Sequence, residues 1–416
     1  MSDRPDVVFL TVDCWRYDAV SRMFRLRRLA EESLDRGEAI CQSAATPGVF
    51  PAILASSYYS AAYDRSGALR TDTPTLPGVL GRVGYETAAV VGNNPFLEKF
   101  RGEFDHFWRG GSGTEGGWRA YHYLRRQLRQ RVRHRSTVPA PSVASRAREW
   151  FRTADGPRFL LMHLMDPHEP YYPGLKRWLG VGPLRARRAL EQFDEDRPAM
   201  SDRQRSTVER LYWGCVDFVD RSLESLLSFV PDDALVVLMA DHGEEFEHGA
   251  YRHARLYDEC VRVPLFSRNL PGVATTDRVR QLDLAPTILA RLGVETPEDW
   301  VGRPADGTHR PSFMLNHSPH RDEQYLGLRT DRYKLIRTVD LGADGGTETE
   351  LYDLATDPRE TRNLVGTDRE PDELEVLADR LADFRDRHDV ESGITRGTGS
   401  RPESAPQERL EALGYV

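Results

Sequence analysis

Asp241, His242, His248 and His253 fall within one short stretch, ADHGEEFEHGAYRH. Carboxylates and imidazoles bind divalent cations and transfer protons near neutral pH. A second acid, Asp13, closes DVVFLTVD and is followed by Cys14, a soft ligand if it binds metal and a small apolar filler if it does not. A fourth histidine, His168, lies in HLMDPHEPY. Hydroxyls occur at Ser43 and Thr46 in SAATPGVFPAILAS. Together these groups are competent to hold a divalent cation and to act as acids or bases.

The flanking residues indicate how they are positioned. Leu235–Met239 is a short apolar run of the kind that forms a strand buried on both faces, and Val7–Val12 is another. Each ends in an aspartate, so two strands of one parallel sheet bring Asp13 and Asp241 to one cation. Ligands of open α/β sheets bind at that carboxyl edge. Further strands are expected over 85–91, ending in Gly92-Asn93-Asn94-Pro95, and over 159–162; Phe266 opens another extended piece. Helices are expected over 24–36, over 73–83 entered through Pro77, over 142–152 with Ser142 as cap, over 203–229, and over 282–292 with Pro286 in the first turn. Pro47, Gly48 and Pro51 read as a turn, with a helix beginning at Ala52.

A chain of 416 residues has room for one large α/β domain with an appendage. Residues 1–300 read as that domain, with 109–135 and 174–203 as insertions or a lid. Residues 301–416 read as a smaller α+β unit: short strands near 325–330, 333–337 and 350–354, an amphipathic helix over 374–384, and a flexible 391–408. Mean hydropathy is −0.57 and no apolar run is long enough to span a membrane. The start of the sequence lacks a cleavable leader pattern, so a cytoplasmic location is expected. Net charge −8 does not favour nucleic acid. Of 57 basic residues only Lys99, Lys176 and Lys334 are lysine. Seven arginines between Arg119 and Arg135 make either a solvated helix face or a patch for an anionic partner. Four scattered cysteines suggest neither a disulfide framework nor a zinc knuckle.

In their order and spacing, DVVFLTVDCWRYD, TPGVFPAILAS, GYETAAVVGNN, HLMDPHEPY, ADHGEEFEHG with LYDECVRVPL, LDLAPTILARLG and ELYDLATDPRETRNL resemble the sulfatase-like branch of the alkaline phosphatase superfamily over nearly the whole chain. The resemblance implies an alkaline-phosphatase-like α/β fold: a large mixed sheet between helices, with a small C-terminal antiparallel sheet and helix. It implies a hydrolase of sulfate esters, on a glycan or small organic ester, or a relative acting on phosphodiesters or phosphonate monoesters or transferring phosphate. It implies one divalent cation, Ca²⁺ first, with Mg²⁺, Mn²⁺ or Zn²⁺ as alternatives, held by Asp13, Asp241 and His242, with Cys14 where many relatives carry a second aspartate. His168 matches a histidine at the ester oxyanion or leaving group, His253 a basic residue that neutralises the transferred group, and Asn93 a substrate contact. His248 and Arg262 stand as further substrate contacts, or His248 as a group that orients the loop.

One departure matters. The family's nucleophile, aligned on Pro51, falls on Val49, and its arginine falls on Ile53. Valine cannot attack. Turnover then requires Thr46, Ser43 or a metal-activated water. Thr46 sits three residues early and is expected to need a shifted loop. The remaining alternative is an impaired protein that binds anionic glycans without cleaving them.

Overall fold

Strand β1, Val7–Val12, lies in the middle of an eight-stranded sheet in the computed structural model. The structure describes residues 4–110, 138–249, 252–274, 278–318, 321–342 and 345–388. The arginine-rich segment from Arg119 to Arg135, the 391–408 tail and the terminal ALGYV lie outside them. The other strands are β2 (Asp35–Ile40), β3 (Glu86–Val91), β4 (His106–Arg109), β5 (Arg158–Leu164), β6 (Leu235–Ala240), β7 (Arg262–Arg268) and β8 (Val279–Arg280). Their order is β4-β3-β5-β1-β6-β7-β2-β8. From β4 to β6 all neighbours are parallel; β7 runs antiparallel to β6 and β2. Every residue of β1 and β6 is buried, as unbroken apolar runs require.

Register sets the site. Val12 pairs with Ala240 and with Leu164, and Val91 pairs with His163. The residues that follow β1, β6 and β3, together with His163 near the end of β5, therefore meet at one carboxyl edge.

Helix Asp202–Leu227 starts with a capping box between Ser201 and Gln204 and contacts helices Phe24–Glu32, Ala140–Thr153 and Pro183–Glu195. The stretch 174–203, read from sequence as polar insertion, contains helices Leu175–Val181 and Pro183–Glu195, which bury Trp178, Leu190 and Phe193. Ser142 does not cap its helix. That helix begins at Ala140, whose N–H is taken by Asp166 Oδ2 at 2.9 Å.

Two helices tolerate interior prolines by the same means. Pro286 sits inside Gln281–Leu292 rather than in its first turn, and Pro51 sits inside Thr46–Ala55. Each proline lacks an N–H for the carbonyl four residues back. The Ser56 hydroxyl donates to Leu282 O at 2.8 Å, and the Tyr63 hydroxyl donates to Pro47 O at 3.1 Å. These replacements let the second helix start at Thr46, six residues before the position read from sequence.

A four-stranded antiparallel sheet, β12-β11-β10-β9, follows: β9 Ser312–Ser318, β10 Glu323–Arg329, β11 Tyr333–Asp340 and β12 Thr347–Asp353. Helix Glu373–Arg387 buries Leu377, Leu381 and Phe384 against Leu326, Leu328 and Leu335. The architecture is that of the alkaline-phosphatase type: a large mixed sheet between helices with a small C-terminal sheet and helix.

Candidate active site

Asp13 and Asp241 leave adjacent strands in matching register, and both are fully buried. His242 is also buried, with Nε2 3.5 Å from Asp13 Oδ1 and 3.6 Å from Asp241 Oδ2. The Thr46 hydroxyl joins them, 3.2 Å from Asp241 Oδ2, 3.4 Å from Asp13 Oδ2 and 3.3 Å from His242 Nε2. No loop shift is needed. Thr46 is the first residue of its helix, and that helix end faces the aspartates. Val49 lies one turn further in, fully buried in the main hydrophobic cluster.

The structure adds two residues not anticipated as ligands or site groups. His163 Nε2 is 3.3 Å from Asp13 Oδ2. Asn94 Nδ2 donates to Asp13 Oδ2 at 3.3 Å. Asn93, expected as a substrate contact, is buried with a left-handed backbone (φ 84°). Its neighbour Asn94 is the one that reaches Asp13. A signal existed for both: each is polar and close to the carboxyl end of a strand that borders β5 or β1.

The hydrogen bonds fix the imidazoles in a state that suits a cation. The Thr11 hydroxyl donates to Met162 O and thus accepts from His163 Nδ1 at 2.9 Å. His242 Nδ1 donates to Gly243 O at 2.9 Å. With Nδ1 donating in each ring, the Nε2 atoms are the nitrogens that face the carboxylate oxygens and can offer lone pairs to a cation there. Lone pairs facing anions need a positive charge between them. The donor set of oxygens and nitrogens fits a divalent cation held by Asp13, Asp241 and His242, beside His163 and Asn94.

Burial alone pushes the Asp13 carboxyl up, but His168, His163 and His242 hold it well below the usual carboxylate range. Burial and the charge of Asp13 push Asp241 well above that range. Burial pulls His242 down, toward the neutral form.

A second group adjoins the first. Cys14, His168 and His253 place one ligand atom each within 4.8 Å of one another. Cys14 Sγ lies 3.1 Å from Asp13 Oδ1 and 3.5 Å from His253 Nδ1. Glu244 Oε1 lies 3.4 Å from His253 Nδ1, while its Oε2 accepts from the Tyr171 hydroxyl at 2.9 Å. Nothing in the sequence ADHGEEFEHG sets Glu244 apart from its neighbouring acids.

Two predicted contacts are placed differently. The Arg262 guanidinium is committed to Glu38, donating from Nε at 2.8 Å, and stacks over Tyr17. It is a β7 side chain that reaches across the sheet to Glu38 of β2. His248 donates from Nδ1 to Glu259 at 2.6 Å, bonds the Glu360 carbonyl through Nε2 at 3.1 Å, and stacks on Tyr257 at 3.7 Å. It ties down the loop after β6.

A family model described as Sulfatase matches residues 5–294. The chain belongs to the sulfatase family. A second model, N-sulphoglucosamine sulphohydrolase, C-terminal, matches residues 246–387. N-acetylglucosamine-6-O-sulfatase of Bacteroides thetaiotaomicron is 27% identical over 220 residues, covering 46% of this chain and 39% of that protein. An arylsulfatase of Clostridium perfringens is 22% identical over 297 residues, covering 62% of this chain and 60% of that protein. The matched part of this family member thus spans between about two fifths and three fifths of those relatives' lengths. Among solved structures, one bound to its substrate D-glucosamine-2-N,6-O-disulfate superposes with TM-score 0.69 at 18% identity, covering 93% of this chain and 98% of that one. Phosphonate monoester hydrolase of Agrobacterium radiobacter gives TM-score 0.63 at 18% identity, covering 92% and 96%. At this identity these structures share the fold. Among the described residues no helix is long and apolar enough to cross a membrane.

Proposed function

We propose that this protein is a metal-dependent hydrolase of sulfate esters that uses Thr46 as its nucleophile. The observation that carries this is the Thr46 hydroxyl, set at a helix start between Asp13, Asp241 and His242. When bound, a divalent cation would neutralise the two aspartates, lower the pKa of a coordinated hydroxyl or water and draw in an ester oxygen.

The chain's own residues do the rest. Asp241 Oδ2 accepts the Thr46 hydrogen bond and is the nearest base for its proton. The Thr46 oxygen attacks sulfur, the bond to the alcohol oxygen breaks, and the sulfuryl group passes to Thr46. His168 or His253 gives a proton to the departing alcohol. Water then attacks the threonine ester, restoring the hydroxyl and releasing sulfate. The positive end of helix Thr46–Ala55 favours the developing anion.

The names of the relatives support a sulfated glycan as substrate, and four free cysteines suit a reducing, cytoplasmic setting. A second reading is hydrolysis of phosphonate monoesters or phosphodiesters. The plain hydroxyl of Thr46, in place of a formylglycine, favours it. A purified protein supplied in turn with Ca²⁺, Mg²⁺, Mn²⁺ and Zn²⁺ should hydrolyse an aryl sulfate or an aryl phosphonate ester, and Thr46→Ala should not. Inactivity with every metal and both ester classes would leave only a binding role.

A further inference from the structure

We infer that the helical hairpin Leu175–Glu195 is a docking face for an anionic lipid surface, so that this protein works while seated peripherally on a bilayer. Such docking concerns where the protein sits and goes beyond what it cleaves.

The hairpin has two distinct sides. Its helices, Leu175–Val181 and Pro183–Glu195, meet at Gly182, whose φ of 93° turns the chain between them. On the inner side Trp178, Ala186, Ala189, Leu190 and Phe193 are buried, and both helices contact helix Asp202–Leu227. Trp178 packs on Tyr172, with ring centroids 5.5 Å apart. The root of the hairpin is pressed close, since a β-carbon added at Gly214 of the long helix would come within 2.5 Å of Pro173 Cβ. The hairpin is thus a seated platform, and its outward side chains are not the by-product of loose packing.

On the outer side stand Leu184, Leu179 and Leu175, exposed to 73%, 58% and 54%. Leu175 and Leu179 lie four residues apart in one helix and so share a face. Single exposed apolar residues are ordinary. Here three of the seven large ones exposed among the described residues fall within ten positions. The charges on the same stretch are all positive. From Pro170 to Leu190 the chain carries Lys176, Arg177, Arg185, Arg187 and Arg188 and no acid, in a protein of net charge −8. Arg177 pairs with Asp217, Arg187 pairs with Glu191, and Arg185 donates to Thr207. Lys176 and Arg188 are exposed and, among the described residues, in no ion pair.

Leucines set among cations match a layer that is anionic at its surface and apolar beneath. A protein partner fits less well. Protein interfaces favour aromatic side chains and exclude lysine, whereas here Trp178 is turned inward and Lys176 faces out. A soluble sulfated polymer would meet the cations but leave the leucines in water.

Co-sedimentation of the full-length protein with vesicles tests this without metal or turnover, so its failure would leave the hydrolase reading untouched. Phosphatidylcholine vesicles containing phosphatidylglycerol should bind the protein, phosphatidylcholine alone should not, and raised salt should weaken the binding. Lys176→Glu with Arg188→Glu should weaken it about thirtyfold or more. Leu179→Ser and Leu184→Ser should each weaken it about tenfold. Val376→Ser, at a comparably exposed position near Glu373, Glu375 and Asp379, should leave it unchanged. In Leu184→Trp, bromine-labelled acyl chains should quench more of the fluorescence than in the wild type; this reads insertion even if a serine variant does not fold. Failure of the wild type to bind anionic vesicles would overturn the proposal. So would binding that survives both leucine changes, which would reduce it to charge attraction alone. Binding to a soluble sulfated polysaccharide but not to vesicles, through the same residues, would make the face a glycan site. Self-association that Leu184→Ser abolishes, again without vesicle binding, would make it a protein interface.

Discussion

The Tyr63 hydroxyl donates to the Pro47 carbonyl at 3.1 Å, the acceptor that Pro51 leaves without a helical donor. This bond bears on chemistry, because the turn it completes carries Thr46. Tyr63→Phe should cost about 1–2 kcal/mol by leaving a buried carbonyl unsatisfied. It should also lower kcat more than it raises KM, since the helix start loses definition. Thermal unfolding and steady-state kinetics on one preparation check both; an unchanged kcat at reduced stability would confine Tyr63 to packing.

Thr46 and Val49 should separate cleanly. Thr46→Ala removes the attacking oxygen and should reduce turnover about a thousandfold or more. Val49→Ala empties a buried position and should cost about 1–3 kcal/mol while the folded fraction keeps its turnover. The reverse pattern, with Val49→Ala inactive and Thr46→Ala active, would sink the assignment of Thr46.

Much of this arrangement is written in the chain, and the part that is not has identifiable causes. Asp13 and Asp241 can be read because each ends an unbroken apolar run, which only a doubly buried strand produces. Asn94 and His163 are harder. Their role depends on β3 and β5 lying beside β1, and strand order is set by crossovers rather than by local pattern. Thr46 is legible as a candidate hydroxyl, but its place at a helix start is not: Pro47 and Pro51 read as a turn until Tyr63, sixteen positions beyond Pro47, supplies the missing donor. Strand β2, DRGEAI, has three charged residues and no alternation. Its pairing with β7 and β8, with Glu38 neutralised by Arg262 and Arg278, makes it a strand.

Metal should stabilise as well as activate. Asp13, Asp241 and His242 gather buried carboxyl oxygens and a ring nitrogen in a set that suits a cation. Protein saturated at about 100 times Kd should gain about 2.7 kcal/mol over the stripped form. Chelation should therefore lower Tm and abolish turnover together, and re-addition should restore both. Asp241→Ala should remove the metal-dependent part of the Tm shift. A chelator with no effect on Tm would argue against cation binding at these residues.

Glu259 predicts a stability loss in acid. It accepts from the N–H groups of Phe246, Glu247 and His248, from His248 Nδ1 and from Arg16 Nη1. Burial opposes its ionisation, but the hydrogen bond from His248, the charge of Arg16 and those backbone donors hold its pKa down to about 2. A depressed carboxylate contributes stability that is present above its unfolded pKa of about 4.3 and is lost as pH falls toward about 2. That share is about 3 kcal/mol. Glu259→Gln should flatten the stability profile between those pH values. For His248 the sign is reversed. Burial lowers its pKa, but Glu259 raises it on balance, so its share is full below about 6.5 and fades as pH rises above that. Denaturant unfolding from pH 2 to 8 measures both; parallel profiles for wild type and Glu259→Gln would refute the account.

Lys334 is the last case, because it joins the small sheet to the site loop. It is fully buried on β11, with Nζ 2.8 Å from Asp258 Oδ1 and 2.7 Å from Glu360 Oε1. Arg329 Nη2 reaches the other Asp258 oxygen at 2.8 Å. Asp258 opens the short helix Asp258–Val261, directly before Glu259, so the same cluster anchors the residue that ties down the loop after β6. Lys334→Met leaves two buried carboxylates short of one positive charge and should cost about 3–5 kcal/mol. Adding Glu360→Gln removes one of those charges, and the double variant should recover about 1–3 kcal/mol of the loss. If the two changes were simply additive, Lys334 and Glu360 would not be energetically coupled. The hold of the small sheet on Asp258 would then rest on Arg329.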